Sequence, residues 1–364
     1  MMNSPILSRA DRRARRTRPV VTLVVAATLA CLPVASAVAG GQFNAPGNIL
    51  ITDQFNNRVI EIDPSGTIVW SFGTGPGNTS AGAMVGTNDA ERVGVHTLMA
   101  GTGIPAGATK NCKKSGCPDN RVILVDQGGN IVWQYGQFGV TGFGPNQLNT
   151  PVQNTFLPDG HVLITDQGNQ RIIEVRPADN AIVWQYGQNG VAGSGPNQLN
   201  NPNAAELLAN GHILISDENN NRAIEVTHAT PSVIVATFTA QGTVSGVAFA
   251  SRLPSGDTLI TDSNNSRIVE VDSHDKLVWQ YATNTRPGSN PIPLPTRAVR
   301  LANGNTLISD QFNNQVITVN ASGEIVASYG VINDAGFSPT TAAHLNAPYS
   351  AYVIGDYTGI TPPF

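Results

Sequence analysis

ITDQFNNRVIEIDPSGTIVWSFG, residues 51–73, carries the pattern from which the fold is read. Two apolar runs, one ending at Asp53 and one beginning at Arg58, flank the polar turn Gln54-Phe55-Asn56-Asn57. A second turn, Pro64-Ser65-Gly66, leads into a third apolar run that ends at Trp70. Asn, Ser, Pro and Gly supply the dihedral angles and local hydrogen bonds of tight reversals, so the stretch reads as three short strands in succession. Apolar runs without clean alternation suit strands covered on both faces.

The pattern recurs to the end of the chain. Its first run appears as NILITD (48–53), HTLMAG (96–101), HVLITD (161–166), HILISD (212–217), DTLITD (257–262) and NTLISD (305–310). The last residues of these runs lie 48, 65, 51, 45 and 48 positions apart. The second run begins at Arg58, Arg121, Arg171, Arg222, Arg267 and Gln315. The third ends at Trp70, Trp133, Trp184 and Trp279, with Ala236 and Ala327 in the fourth and sixth copies. A further strand precedes each core, as in PVQNTFLPDG (151–160) and PTRAVRLANG (295–304). Four short strands per unit at this period describe the blades of a β-propeller, which cover their faces by stacking on one another. The expectation is an all-β, six-bladed β-propeller of four-stranded blades. The first copy lacks its opening strand, and LNAPYSAYVIGDYTGIT (345–361) overlays LNTPVQNTFLPDGHVLIT (148–165). The C-terminal strand at Tyr349 to Val353 is therefore expected to join the first blade and close the ring, leaving no free sheet edge there.

Composition agrees. Only 13% of the 364 residues are charged, and 37 Gly and 24 Pro provide turns. Residues 1–39 read as an export signal: six arginines between Arg9 and Arg18, the apolar run VVTLVVAATLACLPV, then Ala35 to Ala39 with cleavage expected after Ala37 or Ala39. Twin-arginine export and lipid attachment at Cys31 are variants of the same expectation. Residues 40–364 form one propeller domain, with an insert at 102–120 in the second blade, and the protein is expected to be periplasmic or secreted. Removing the signal takes away six Arg and Asp11, which leaves 15 basic and 24 acidic residues and a net charge of −9. That balance excludes a basic nucleic-acid surface, and no membrane span is expected after the signal. Cys112 and Cys117 remain, and two nearby cysteines in an exported chain suggest a disulfide.

The units resemble NHL repeats in GQFNAP (41–46), GFGPNQLNTP (142–151), GSGPNQLNNP (193–202) and AHLNAP (343–348), and in the Asp-x-x-Asn-Asn-Arg turns. DPSGTIVW (63–70) is similar to the tryptophan-docking repeat of quinoprotein propellers, which usually has eight copies. The neighbouring families include gluconolactonase-like, strictosidine synthase-like, virginiamycin B lyase-like and arylsulfotransferase propellers. The resemblance implies an architecture shared by enzymes and by binding modules, and fold alone does not decide between them.

Residues that recur in nearly every copy read as structure. The Asp/Arg turn pairs, the repeated Glu61, Glu174, Glu225 and Glu270, and the tryptophans belong here. Histidines 96, 161 and 212 read as turn or strand-start residues, and His228 as a loop residue. The informative residues break the repeat, and most lie in the opening strands. Asp89, Glu91 and Glu206 are candidate oxygen ligands for a hard cation such as Ca²⁺. Arg252, Arg297 and Arg300 are candidates for binding a carboxylate or sulfate at the same channel mouth. Lys110, Lys113 and Lys114 sit in the insert beside the cysteines. The leading expectation is a binding or scaffold module for a protein or small anionic ligand, acting through the loop-rich channel face. The alternative is a channel-mouth enzyme of the lactonase, lyase or arylsulfotransferase type, metal-dependent where the three carboxylates hold the cation.

Overall fold

The computed structural model describes residues 41–113 and 115–356, so the expected export segment and Lys114 lie outside the described residues. It contains six four-stranded antiparallel sheets. From the axis outward, the first blade consists of Pro348–Val353, Ile49–Asp53, Arg58–Ile62 and Ile68–Phe72. The innermost strands of blades two to six are Thr87–Val93, Pro151–Phe156, Pro202–Leu207, Val247–Arg252 and Arg297–Arg300. Each inner strand touches the next, and the sixth touches the C-terminal strand, so the ring is closed as expected. The closing pair aligns Ile49 with Val353 and Ile51 with Ala351. Among the described residues no helix is long and apolar enough to cross a membrane.

The cores lie between blades. Ile51, Ile60 and Ala351 of blade one meet Leu307 and Val316 of blade six. Equivalent clusters fill the other five junctions. In five of the six inner strands the central residue facing the preceding blade is an alanine (Ala90, Ala205, Ala250, Ala298 or Ala351), small enough for close approach where the sheets converge, and blade three has Asn154 there.

The Asp-x-x-Asn-Asn-Arg turn proves to be the clasp of each blade. Its Asp accepts the next Arg, as in Asp53–Arg58, Asp166–Arg171, Asp217–Arg222 and Asp262–Arg267, all at 2.6–2.8 Å. Asn57 and Asn221 adopt positive φ and accept an N–H from the loop entering the next blade, at Gly86 and Gly246. The irregular copies restore the clasp by other means. In blade two Asp119 replaces the missing Asp, accepting Arg121 and the Val85 N–H. A Cβ at Gly101 would lie 2.6 Å from the Asp119 carboxyl carbon, so the two positions exchange. In blade six Arg286, from the entering loop, pairs with Asp310 in place of Gln315.

The second-blade insert is shorter as a loop than the sequence suggests. Strands His96–Ile104 and Cys117–Val125 run into it as an extended hairpin, pairing Gly103 with Pro118 and Ile104 with Cys117. The Cys112–Cys117 disulfide is formed. Cys112 is buried with Val85 and Ile104, which anchors the tip to the body of the blade.

Candidate functional site in the axial channel

Along each inner strand, alternate residues face the axis. Asp89, Ala204, Phe249 and Arg297 stand at one level, opposite the residue before each turn. Tyr352, Glu91, Glu206 and Val299 stand at the next, opposite the leucine common to every repeat. Ala204, Phe249, Val299 and Tyr352 pack together from four blades and give the channel an apolar side.

The polar side joins four of the six residues singled out in the sequence. Arg297 donates to Asp89 at 2.7 Å, and its guanidinium lies 4.1 Å from the Phe249 ring and 4.2 Å from that of Tyr352. Asp89 and Glu91 also accept the backbone N–H groups of Asn154 and Phe156, both at 3.1 Å. An inner strand has an unpaired edge, so these carboxylates satisfy donors of the neighbouring blade that would otherwise be buried unpaired. The second Glu91 oxygen, Oε1, is buried with no partner.

Burial raises the Asp89 and Glu91 carboxyls above their ordinary range, Glu91 strongly. Burial also pushes Glu206 up to about 7, with the Asp89 charge adding to it and Arg297 opposing it. The chemistry is that of a carboxyl cluster sharing fewer charges than it has groups, held by one guanidinium.

Two expectations need correction. Arg252 and Arg300 do not face the channel. They stand at the far ends of their strands and turn into blade junctions, where they pair with Glu225 at 2.9 Å and Glu270 at 2.7 Å. Strand alternation accounts for this: three positions separate Arg297 from Arg300, which puts them on opposite faces. Nor do Asp89, Glu91 and Glu206 gather their oxygens around one point. Among the described residues the three-ligand grouping within 4.8 Å is Asp159, His161 and Glu174, on another part of the molecule. The sequence had read His161 as a turn or strand-start residue and Glu174 as repeated structure, and it had not singled out Asp159. The available signal was that Leu207 follows Glu174 around the ring, where Arg92, Arg252 and Arg300 follow the other copies of that glutamate.

The space left at the Asp89–Arg297 level is about 10 Å³, room for about one water molecule. Tyr349 bridges it from the closing strand to Asn203 at 3.1 Å.

The fold and this axis define a six-bladed propeller whose channel is filled by side chains at the Asp89–Arg297 level. Residues 118–336 match the PQQ_2 family, described as outer membrane protein assembly factor BamB, and the chain belongs to that family. No curated protein matches its sequence significantly. Among solved structures, a protein of unknown function from Bacteroides caccae is similar with a TM-score of 0.56 and 13% identity, over 84% of this chain and 98% of that one. Virginiamycin B lyase from Staphylococcus aureus gives a TM-score of 0.48 and 14% identity, over 78% and 84% of the two chains. At these identities the likeness to solved structures concerns the fold alone. The weaker of the two sequence resemblances, to quinoprotein propellers, is the one that the family supports. The quinone suggested by the family name does not fit at the Asp89–Arg297 level of the channel, where the Arg297 guanidinium lies against the Phe249 and Tyr352 rings and about 10 Å³ is left.

Proposed function

We propose that the protein is an extracytoplasmic binding scaffold that holds a protein partner on the face formed by the loops entering the inner strands. The observation that carries this reading is the set of apolar side chains on those loops. Phe143 and Ile292 are 58% and 61% exposed, and Val140, Val191, Val331 and Phe337 are also exposed. They lie in four blade-to-blade loops, Val140 with Phe143 in one and Val331 with Phe337 in another, and the Asn169–Gly142 and Asn220–Gly193 hydrogen bonds seat two of these loops against the Asp turns. Exposed apolar residues clustered on one loop-bearing face mark interaction surfaces. The disulfide-pinned insert borders the same face, where Lys110 and Asn346 line one cavity of about 440 Å³. The family description, an assembly factor, supports a partner-binding role. The disulfide supports an oxidising compartment.

The second reading, an enzyme in the channel, rests on the raised carboxyls of Glu91 and Glu206. It is opposed by the lack of space at the Asp89–Arg297 level. Photo-crosslinking in the producing cell separates the two. A crosslinker at Phe143 or Ile292 is expected to give one discrete protein adduct, and one at Val95, exposed at the other end of blade two, none. Equal labelling from all three positions, or none, would overturn the scaffold reading.

A further inference from the structure

Three blade junctions share one buried device. Glu61, Glu225 and Glu270 each receive an arginine from the next inner strand: Arg92, Arg252 and Arg300. Each arginine also donates to a threonine beside it, Thr97, Thr258 or Thr306, and lies over an aromatic ring of the preceding blade. Two further junctions drop the device completely. Leu124 and Thr318 replace the glutamate, and Phe156 and Val353 replace the arginine. The junction between blades three and four is the mismatch. It keeps the glutamate, as Glu174, but Leu207 stands at the arginine position and Ile213 at the threonine position.

Two histidines meet the stranded carboxylate. His161 Nδ1 lies 2.6 Å from Glu174 Oε1 and 3.1 Å from Asp159 Oδ2. His228, from blade four, places Nε2 2.6 Å from Glu174 Oε2 and packs edge-on against Trp184, the aromatic of the Glu174 blade. The ligand atoms of Asp159, His161 and Glu174 all lie within 4.8 Å of one another. Glu174 is 5% exposed, His161 23% and Asp159 54%, so the group has a buried anchor and a side open to solvent. A buried carboxylate whose neighbours elsewhere supply a fixed positive charge here has only imidazoles. One imidazole and two carboxylates at this spacing are the donor set of a divalent transition ion, with open positions left for water.

We propose that Asp159, His161 and Glu174 bind a divalent metal ion of the Zn²⁺ class, and that His228 orients the bound carboxylate through its second oxygen. The ion replaces the arginine charge that the other glutamate junctions carry. The blade-four counterpart is the internal control: Asn210, His212 and Glu225 have the same layout, but Arg252 already occupies the carboxylate.

The test is calorimetric titration of the untagged, exported chain with Zn²⁺, and separately with Ca²⁺. One Zn²⁺ per chain is expected, with affinity reduced at least about tenfold by Asp159→Asn and by His161→Ala, and about tenfold by His228→Ala. His212→Ala is expected to leave it unchanged. Asp159 is exposed, so Asp159→Asn tests the site without a folding penalty. No Zn²⁺ binding, binding insensitive to Asp159→Asn and His161→Ala, equal loss in His212→Ala, or preference for Ca²⁺ would each overturn the proposal.

Discussion

Pro293 removes the N–H that the Asp310 carboxylate would otherwise accept. In other blades the equivalent residue donates to the turn Asp: Asn149 to Asp166 and Asn200 to Asp217, both at 2.8 Å, and Asn346 to Asp53 at 2.7 Å. Pro293 keeps the rest of the geometry, since its carbonyl accepts the Phe312 N–H as that of Asn149 accepts Gly168. Asp310 Oδ1 is consequently buried without a partner, and burial pushes this carboxyl up to about 6, against the hydrogen bonds from Asn313 and the charge of Arg286. The folded-state value lies above the unfolded one. The group therefore stabilises the fold fully below the unfolded value of 3.8, and that stability is lost as pH rises through about 6. Pro293→Ala restores a donor. It also gives up about 0.4–1 kcal/mol of chain-entropy advantage at every pH. The difference between pH 7.5 and pH 4.5 isolates the hydrogen bond. The variant should gain about 1 kcal/mol at the higher pH relative to the lower one in urea unfolding; an equal effect at both would reject this origin of the shift. Glu206 obeys the same sign, with a value of about 7 against 4.5 unfolded. Glu206→Gln should raise stability at pH 8 by about 1–3 kcal/mol and leave pH 4 nearly unchanged. A parallel shift in melting temperature across pH would show that Glu206 does not carry the charge cost.

The outer strands are tied by tryptophans, each of which donates to the turn of the following blade. Trp70 reaches the Gln127 carbonyl at 2.9 Å, Trp184 that of Ala229 at 3.1 Å and Trp279 that of Ala321 at 3.1 Å. Blade four has Ala236 instead, and its exit loop is held by Asp275 of blade five, which accepts from Thr239, Ala240 and Gln241. Blade six has Ala327, and its exit loop is held by backbone bonds to the blade-one turn: Ala342 donates to the Gly66 carbonyl at 2.8 Å and Ile68 to that of Thr340 at 2.9 Å. Its Tyr329 hydroxyl makes a long 3.3 Å bond to the Pro64 carbonyl, and a groove of about 480 Å³ remains between Ala327 and the Pro64-Ser65-Gly66 turn. Ala327→Trp should fill that groove and donate to the Pro64 carbonyl. The expected gain is about 1 kcal/mol, seen as a higher melting temperature by circular dichroism. A lower one would mean that the seam between blades six and one is shaped to stay open. This seam was legible in the sequence as a missing tryptophan. The clasps of blades two and six were not, because Asp119 and Arg286 reach their places from outside the repeated positions.

At the scale of the ring, the sequence reveals what is encoded by neighbours in the chain and hides what is assembled across blades. Strand number, blade number and the closing strand follow from period and overlay. Asp89, Glu91, Glu206 and Arg297 stood out because they break the repeat, and the axis brings them together. Arg252 and Arg300 stood out equally, but breaking the repeat does not say which of a strand's two faces a residue is on, and alternation puts these two in the blade junctions. The Glu174 cluster stayed hidden because each member is ordinary in its own blade, and the anomaly, Leu207, lies in the next. Ring closure is the feature read most directly, and it bears the largest stability consequence. The strand Pro348–Val353 supplies the inner edge of blade one, places Ala351 in the core with blade six, and sends Tyr352 over Arg297 at the axis. Ending the chain at Ala347 would expose that edge and two core faces together, so the truncated protein should lose its cooperative unfolding transition and aggregate. The loss should come from the missing strand, not from the position of the terminus. Gly47 donates to the Ile354 carbonyl at 2.8 Å and Ile354 to that of Asn48 at 2.7 Å, so the first and last strands of the described propeller start and finish side by side. A circular permutant that joins them by a linker of about four residues, with new termini in the exposed 80–82 loop, keeps every blade whole. It should unfold within about 1 kcal/mol of the parent in urea. A truncated chain with the parental midpoint, or a permutant as unstable as the truncation, would show that the C-terminal strand is not what holds the ring shut.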